Sequence, residues 1–196
     1  DEITDYTINF INQKDNAGIV YLFGGEPLLY KDLIKKFACL IKSKHCVVTT
    51  NGMLLDEEFI KWCMDNNVII NLSHDGMDCS ARGIKAEELT EKLKILLKYQ
   101  PDTLVQMVYG EKNLPRLAEN IMYFKKIGVK KISASMDSFL IPEDMDKFAD
   151  NMKEEWEKVA DIEGMFITEL DDKYKAVKGQ KNNKCEVCKR QMFINW

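Results

Sequence analysis

"GIVYLFGGEPLLY", residues 18–30, decides how the chain is read. An apolar, β-branched run, "IVYLF" (19–23), ends in Gly24-Gly25-Glu26-Pro27, and a helical pattern follows at once. A strand that leads through a glycine turn into a helix is the opening half of a βα unit. The same sequence of events recurs downstream. Strands are predicted at "CVVTT" (46–50), "VIINLS" (68–73), "LVQMVY" (104–109) and "KISAS" (131–135). Between them, helical spacing covers 31–42, 56–67, 85–99 and 114–128. Ile34, Phe37, Ala38 and Ile41 share one helical face, as do Leu89, Leu93, Leu96 and Leu97. Asn113 before Leu114-Pro115 reads as an N-cap, and Gly128 as a C-terminal stop. Val, Ile and Leu fill the strands with little alternation, so both sheet faces are expected to be covered. The class is α/β with parallel strands, either an open doubly wound sheet or part of a barrel.

Composition narrows the function. The chain has 196 residues, 45% hydrophobic and 31% charged, which suits a packed core rather than disorder. A net charge of -4 without a basic block excludes a general nucleic-acid binder. There is no apolar run of membrane-spanning length and no signal-peptide pattern at "DEITDYTINFINQ" (1–13). Of six cysteines, Cys39, Cys46, Cys63 and Cys79 stand singly, while Cys185 and Cys188 form a CxxC pair. That distribution does not make a disulfide framework and points to the cytoplasm.

In parallel α/β folds chemistry gathers at the carboxyl ends of the strands. The exits here are Gly24-Gly25-Glu26-Pro27, Thr50-Asn51-Gly52, Ser73-His74-Asp75-Gly76, Gly110-Glu111-Lys112-Asn113 and Met136-Asp137-Ser138. Any one of them is explained by the needs of a turn. Three in a row with a glycine beside a side-chain acceptor favour a shared ligand. The competing readings are structural: Glu26 as a helix cap, Asp75-Gly76 as a turn, and His74 as a loop residue. Cys39 and Cys63 are read as packing thiols. Met107, Met122, Met136, Met145 and Met152 are read as gap-filling core.

"GGEPLLY", "TTNGMLL" and "NLSHDG", in that order on successive strands, resemble the core of radical S-adenosylmethionine (radical SAM) enzymes. The resemblance is nearest to the branch with a C-terminal SPASM or twitch extension. It implies a partial (β/α) barrel lacking its first βα unit over 1–178, and the start of an auxiliary-cluster region over 179–196. It implies S-adenosylmethionine bound by Gly24, Gly25, Glu26, Pro27, Asn51, Ser73, Asp75 and Met136. A glycine pair lets the backbone approach the methionyl ammonium, and Glu26 adds an acceptor or fixes the turn. In that family a [4Fe–4S] cluster delivers an electron to the cofactor, and the 5′-deoxyadenosyl radical so formed abstracts hydrogen from substrate. No residue of this chain is assigned as catalytic.

The family's CxxxCxxC loop is missing, since the 23 residues before Gly24 contain no cysteine. The catalytic cluster ligands are therefore expected outside this chain, which reads as the central piece of an enzyme. Apolar surface bared beside "IVYLF" is the expected mark of the missing unit. Cys185 and Cys188, followed by a short apolar strand, resemble the opening of an auxiliary [4Fe–4S] cluster site. The partners implied are a peptide or protein substrate and a flavodoxin or ferredoxin as electron donor, without nucleic acid or membrane. Two other readings stand beside this one: a cluster-free degenerate relative that binds a peptide or nucleotide, and an unrelated α/β enzyme whose loops imitate the motifs.

Overall fold

The computed structural model describes residues 5–13, 18–42, 45–137, 139, 141–170 and 191–194. They form two compact units, one of residues 1–72 with 182–196 and one of residues 73–181.

The first unit opens with helix α1 (Asp5–Asn12), strand β1 (Ile19–Leu22), helix α2 (Lys31–Leu40), strand β2 (His45–Thr50) and helix α3 (Glu57–Asp65). Strand β3 (Val68–Ser73) follows, and its first five residues belong to this unit. β2 pairs with β1 and with β3, both in parallel, with Val20 beside Cys46 and Val48 beside Ile70. Burial along β2 and β3 is almost continuous, as the near-absence of alternation requires. Ile34 and Phe37 of α2 and Phe59, Ile60 and Cys63 of α3 are buried. Asp56 caps α3 by accepting from the Phe59 N–H at 2.8 Å. Asn12, at the end of α1, accepts from the Lys42 N–H at 2.7 Å and donates to the Leu40 carbonyl at 2.9 Å, so one side chain closes the end of α2.

The other edge of β1 is not bare. Strand β7 (Gln191–Ile194) lies parallel to it, with Gln191 opposite Ile19 and Ile194 opposite Leu22. A segment remote in sequence thus supplies the pairing on this edge, while Phe23 at the end of "IVYLF" is exposed.

The second unit contains helix α4 (Ala86–Tyr99), strand β4 (Leu104–Tyr109), helix α5 (Leu117–Ile127), strand β5 (Lys131–Met136), helix α6 (Met145–Ala160) and the short strand β6 (Phe166–Ile167). β5 pairs in parallel with β4 and with β6. Here burial alternates: Val105, Met107 and Tyr109 of β4 and Ile132 and Ala134 of β5 are buried, while Val108 and Ser135 are exposed. The expectation that both faces are covered holds for β2 and β3 and fails for β4 and β5. Leu89, Leu93 and Leu96 form the buried face of α4, as their spacing predicts. Gly128 stops α5 at φ +100°, with the Val129 N–H reaching back to the Phe124 carbonyl.

Four local readings need correction. Asn113 does not cap the turn that follows it; its side chain accepts from the Gly110 N–H and donates to the Val108 carbonyl, closing the loop after β4. The acceptor for the start of α5 is instead Glu155 of α6, buried and bonded to the Ala118 N–H at 3.0 Å. Cys39 is exposed, because it lies on the outer side of α2, whereas Cys63 is packed as expected. Of the methionines, Met107 is core, but Met122, Met136 and Met145 are exposed. α6 was not among the elements predicted.

Candidate functional site

The glycine turn after β1 is held from the neighbouring strand. Glu26 Oε2 accepts the Asn51 N–H at 2.8 Å, and Oε1 accepts the Thr50 hydroxyl at 2.7 Å. Oε1 also takes the Leu28 N–H at 2.9 Å, capping a 3-10 turn over Pro27–Tyr30. Thr50 in turn accepts the Gly52 N–H, and Asn51 Oδ1 accepts the Met53 N–H. One carboxylate thus joins Gly24-Gly25-Glu26-Pro27 to Thr50-Asn51-Gly52. Both alternatives for Glu26 contain part of the answer: it caps a helical turn and it fixes the loop. With donors on both oxygens it is a brace.

Gly25 behaves differently. The glycines with positive φ are Gly52, Gly76, Gly83, Gly128 and Gly164, so Gly25 needs no left-handed backbone. A Cβ built on it meets nothing within 4 Å. Neither conformation nor packing requires glycine there, and the open space lies at the mouth of the turn that Glu26 fixes.

In the second unit the exit of β3 is built more tightly. Asp75 is buried and takes Nε and Nη2 of Arg82, each at 2.6 Å, while its Oδ1 also accepts the Val108 N–H of β4 at 3.0 Å. Such a two-pronged, largely desolvated pair fixes orientation as well as charge. The His74 N–H donates to the Gln106 carbonyl of β4. Gly76 takes φ +95°, and a Cβ on it would stand 2.3 Å from Asn120 Oδ1, so glycine is obligatory. Asn120 Oδ1 accepts the Met77 N–H from the same turn.

His74 is the residue that sequence reasoning undervalued. It is fully buried, edge-on to Phe124 with ring centroids 5.0 Å apart. Its Nδ1 accepts the Gly76 N–H at 3.2 Å, so the proton sits on Nε2 and is donated to Thr90 Oγ1 at 3.1 Å. Thr90 accepts from the Tyr123 hydroxyl and passes its own proton to the Ala86 carbonyl. Cys79 Sγ lies 3.3 Å from His74 Nδ1. Burial lowers the His74 pKa to about 4 and raises that of the Cys79 thiol. A neutral imidazole beside a protonated thiol is structural chemistry, not a nucleophile–base pair. Loop position gave no hint of this burial; the apolar neighbours in "VIINLSH" are the only signal in sequence.

Ser73 ends β3, and Met136 ends β5 beside Tyr109 with an exposed side chain. The structure brings Gly25, Glu26 and Asn51 together in the first unit and ties Asp75 to β4 in the second. Cys185 and Cys188 lie outside the described residues. Among the described residues no group of three His, Cys, Asp or Glu side chains could hold a metal ion. Among those residues, too, no helix is long and apolar enough to cross a membrane.

Residues 1–84 match the model of the Radical SAM superfamily. That span ends just past Arg82 and includes the three motif loops built above. An uncharacterized protein of Methanocaldococcus jannaschii, MJ0907, is 29% identical over 139 residues, covering 64% of this chain and 49% of that protein. The chain therefore spans about half the length of the curated relative it matches. Among solved structures, native anSMEcpe with bound AdoMet and Cp18Cys peptide superposes with a TM-score of 0.70 at 18% identity, over 94% of this chain and 61% of that one. Streptococcus suis SuiB bound to precursor peptide SuiA superposes with a TM-score of 0.63 at 14% identity, over 90% and 46%. At such identities the likeness establishes the fold alone, a partial (β/α) barrel.

Proposed function

We propose that the chain is the S-adenosylmethionine-binding core of a radical SAM oxidoreductase of the SPASM or twitch branch. The observation that carries the reading is Gly25, a glycine that neither backbone conformation nor packing demands, at the mouth of a turn braced by Glu26. The open space would be filled by any side chain, which suits a backbone kept bare for a ligand. The match of residues 1–84 to the superfamily model supports the same reading.

S-adenosylmethionine fits these residues, and when bound it supplies a radical precursor through reductive cleavage of its sulfonium. Gly24 and Gly25 would present bare backbone to the methionyl ammonium. Glu26, its oxygens taken by Thr50, Asn51 and Leu28, would hold that backbone still. Asn51 and Ser73, with Asp75, would line the exits of β2 and β3, and Met136 that of β5. The iron–sulfur cluster does not fit the described residues, which offer no group of metal ligands, so its catalytic ligands are not assigned among them. Cys185 and Cys188 would belong to an auxiliary cluster. A peptide or protein substrate and a flavodoxin or ferredoxin are the partners this reading implies; the peptide partners in the names of the superposed structures support the first.

The experiment is anaerobic expression from the complete reading frame, followed by reduction and measurement of 5′-deoxyadenosine. The wild type should form it and Gly25→Val should not, with iron content unchanged. A valine variant that cleaves the cofactor normally would refute the assignment.

A further inference from the structure

Helix α6 carries two apolar stripes. Phe148 and Val159 lie on one of them and are buried, with Glu155 between them. Met145, Ala149, Met152, Trp156 and Ala160 follow helical spacing along the adjoining face. There Met145 is 60% exposed, Ala149 and Ala160 are exposed, and Met152 and Trp156 are half-buried. One stripe is enough to hold a helix to a core. The second, about 22 Å long, is left open among the described residues.

Beside the open stripe lies a cavity of about 550 Å³, lined by Met152, Trp156 and Ala160 together with Tyr109 and Leu170. The Trp156 indole N–H donates to the Tyr109 oxygen at 3.2 Å, and the two rings meet edge to face with centroids 6.3 Å apart. That bond fixes the indole as part of the wall. Glu169 borders the cavity as well, but Oε1 accepts the Ser133 hydroxyl and Oε2 is shut off from solvent. Its carboxylate therefore presents no charge to the cavity, which suits an apolar group.

Charge runs along the outer margin of the stripe. Helical spacing puts Asp146, Asp150, Lys153 and Glu157 there, so carboxylates outnumber the one ammonium. Among the described residues Asp146, Asp150 and Glu157 form no ion pair, whereas Lys158, farther round the helix, is held by Glu154 and Glu155 at 2.8 Å each. A second copy of this face would set carboxylate against carboxylate, on a chain whose net charge is already -4. The complementary partner is apolar and basic.

We infer that the open stripe of α6 and the cavity beside it dock a polypeptide segment whose apolar side chains are flanked by lysine or arginine. The apolar side chains lie along Met152 and Trp156, and the basic ones meet Asp146, Asp150 and Glu157 at the margin. None of the residues assigned to the cofactor takes part. Binding is measured without reductant or iron–sulfur cluster, so its failure would leave the cofactor reading untouched.

Fluorescence polarisation of the whole chain with three labelled peptides tests the assignment. The first is Lys-Lys-Leu-Ala-Phe-Leu-Lys-Lys, the second has the same core between glutamates, and the third has lysines around a core of serines. The first should bind about fivefold more tightly than the second at low salt, with the margin shrinking as salt is raised. The serine peptide should not bind. Met152→Gln and Ala149→Gln each put an amide into the stripe and should weaken the first peptide about fivefold. Ala149 is exposed, so its variant keeps the test if Met152→Gln fails to fold. Equal binding of the lysine and glutamate peptides, binding of the serine peptide, or wild-type affinity in either folded variant would overturn the proposal. So would self-association in sedimentation that the same variants abolish, because the occupant would then be a second copy.

Discussion

Glu26 and Asn51 belong to different loops, yet the carboxylate of one holds the backbone N–H of the other at 2.8 Å. One carboxylate therefore ties the two turns to each other. Glu26→Gln leaves one oxygen and points an amide N–H₂ at a donor, either Asn51 N–H or Leu28 N–H. Stability in urea should fall by about 1–3 kcal/mol, the range for losing a charge-assisted bond in a half-buried place. On the proposed function, S-adenosylmethionine cleavage should weaken with it, but less than in Gly25→Val. A Gln variant as stable as the wild type would mean that the brace carries no load.

Gly25→Val separates binding from folding. Open space around the residue and an ordinary backbone predict a stability within about 0.5 kcal/mol of the wild type. Thermal unfolding of the two proteins gives the answer. A large loss would show that the glycine serves the fold, and the cofactor reading would lose its main support.

Gly76→Ala should do the opposite. Its Cβ would overlap Asn120, and φ +95° strains any L side chain. A loss of about 2–4 kcal/mol in equilibrium unfolding is expected. Two glycines in neighbouring motifs are thus kept for unrelated reasons, one for space beyond the protein and one for space within it.

His74 gives the unit a definite acid sensitivity. In the unfolded chain its imidazole titrates near 6.5, and in the folded chain burial lowers that to about 4. Between these values the unfolded state binds a proton that the folded state refuses, so stability falls as the pH is lowered through the window. At 1.36 kcal/mol per unit the loss approaches about 3 kcal/mol, and it levels off below pH 4. Urea titrations of wild type and His74→Leu at pH 7 and pH 4.5 test this. The variant, though less stable at pH 7, should lack this component of the pH dependence.

The cysteines sort by burial. Cys39 is exposed, while Cys46, Cys63 and Cys79 are buried, with burial pushing the Cys46 thiol up to about 12. Under native conditions Cys39→Ser should remove one rapidly titrating thiol, and Cys63→Ser none. Counting fast thiols with a disulfide reagent in the three proteins is sufficient.

Much of this was legible in the residues. The strands at 68–73 and 104–109 followed from their apolar β-rich runs, and the α4 face from its helical spacing. The three motif loops were legible as turns with acceptors. What the acceptors hold was not. Glu26 reaches a loop 25 residues away, and Glu155 caps a helix from another helix. Neither pairing leaves a mark at short range. The burial of His74 was illegible for the same reason: its partners Thr90 and Phe124 come from two later helices. The alternation of β4 and β5 was visible but outweighed by their apolar content.

The pairing of β7 with β1 has a consequence for the order of events during synthesis. Ile19 acquires its neighbour Gln191 only after about 170 further residues have been made. The intervening unit of residues 73–181 is continuous in sequence and can collapse on its own as it leaves the ribosome. The unit that brackets it cannot close so early: the β1–β7 pairing is a contact of long sequence separation and waits until residues 191–194 arrive. Substitutions that weaken β7 should therefore slow closure of the first unit more than that of the second.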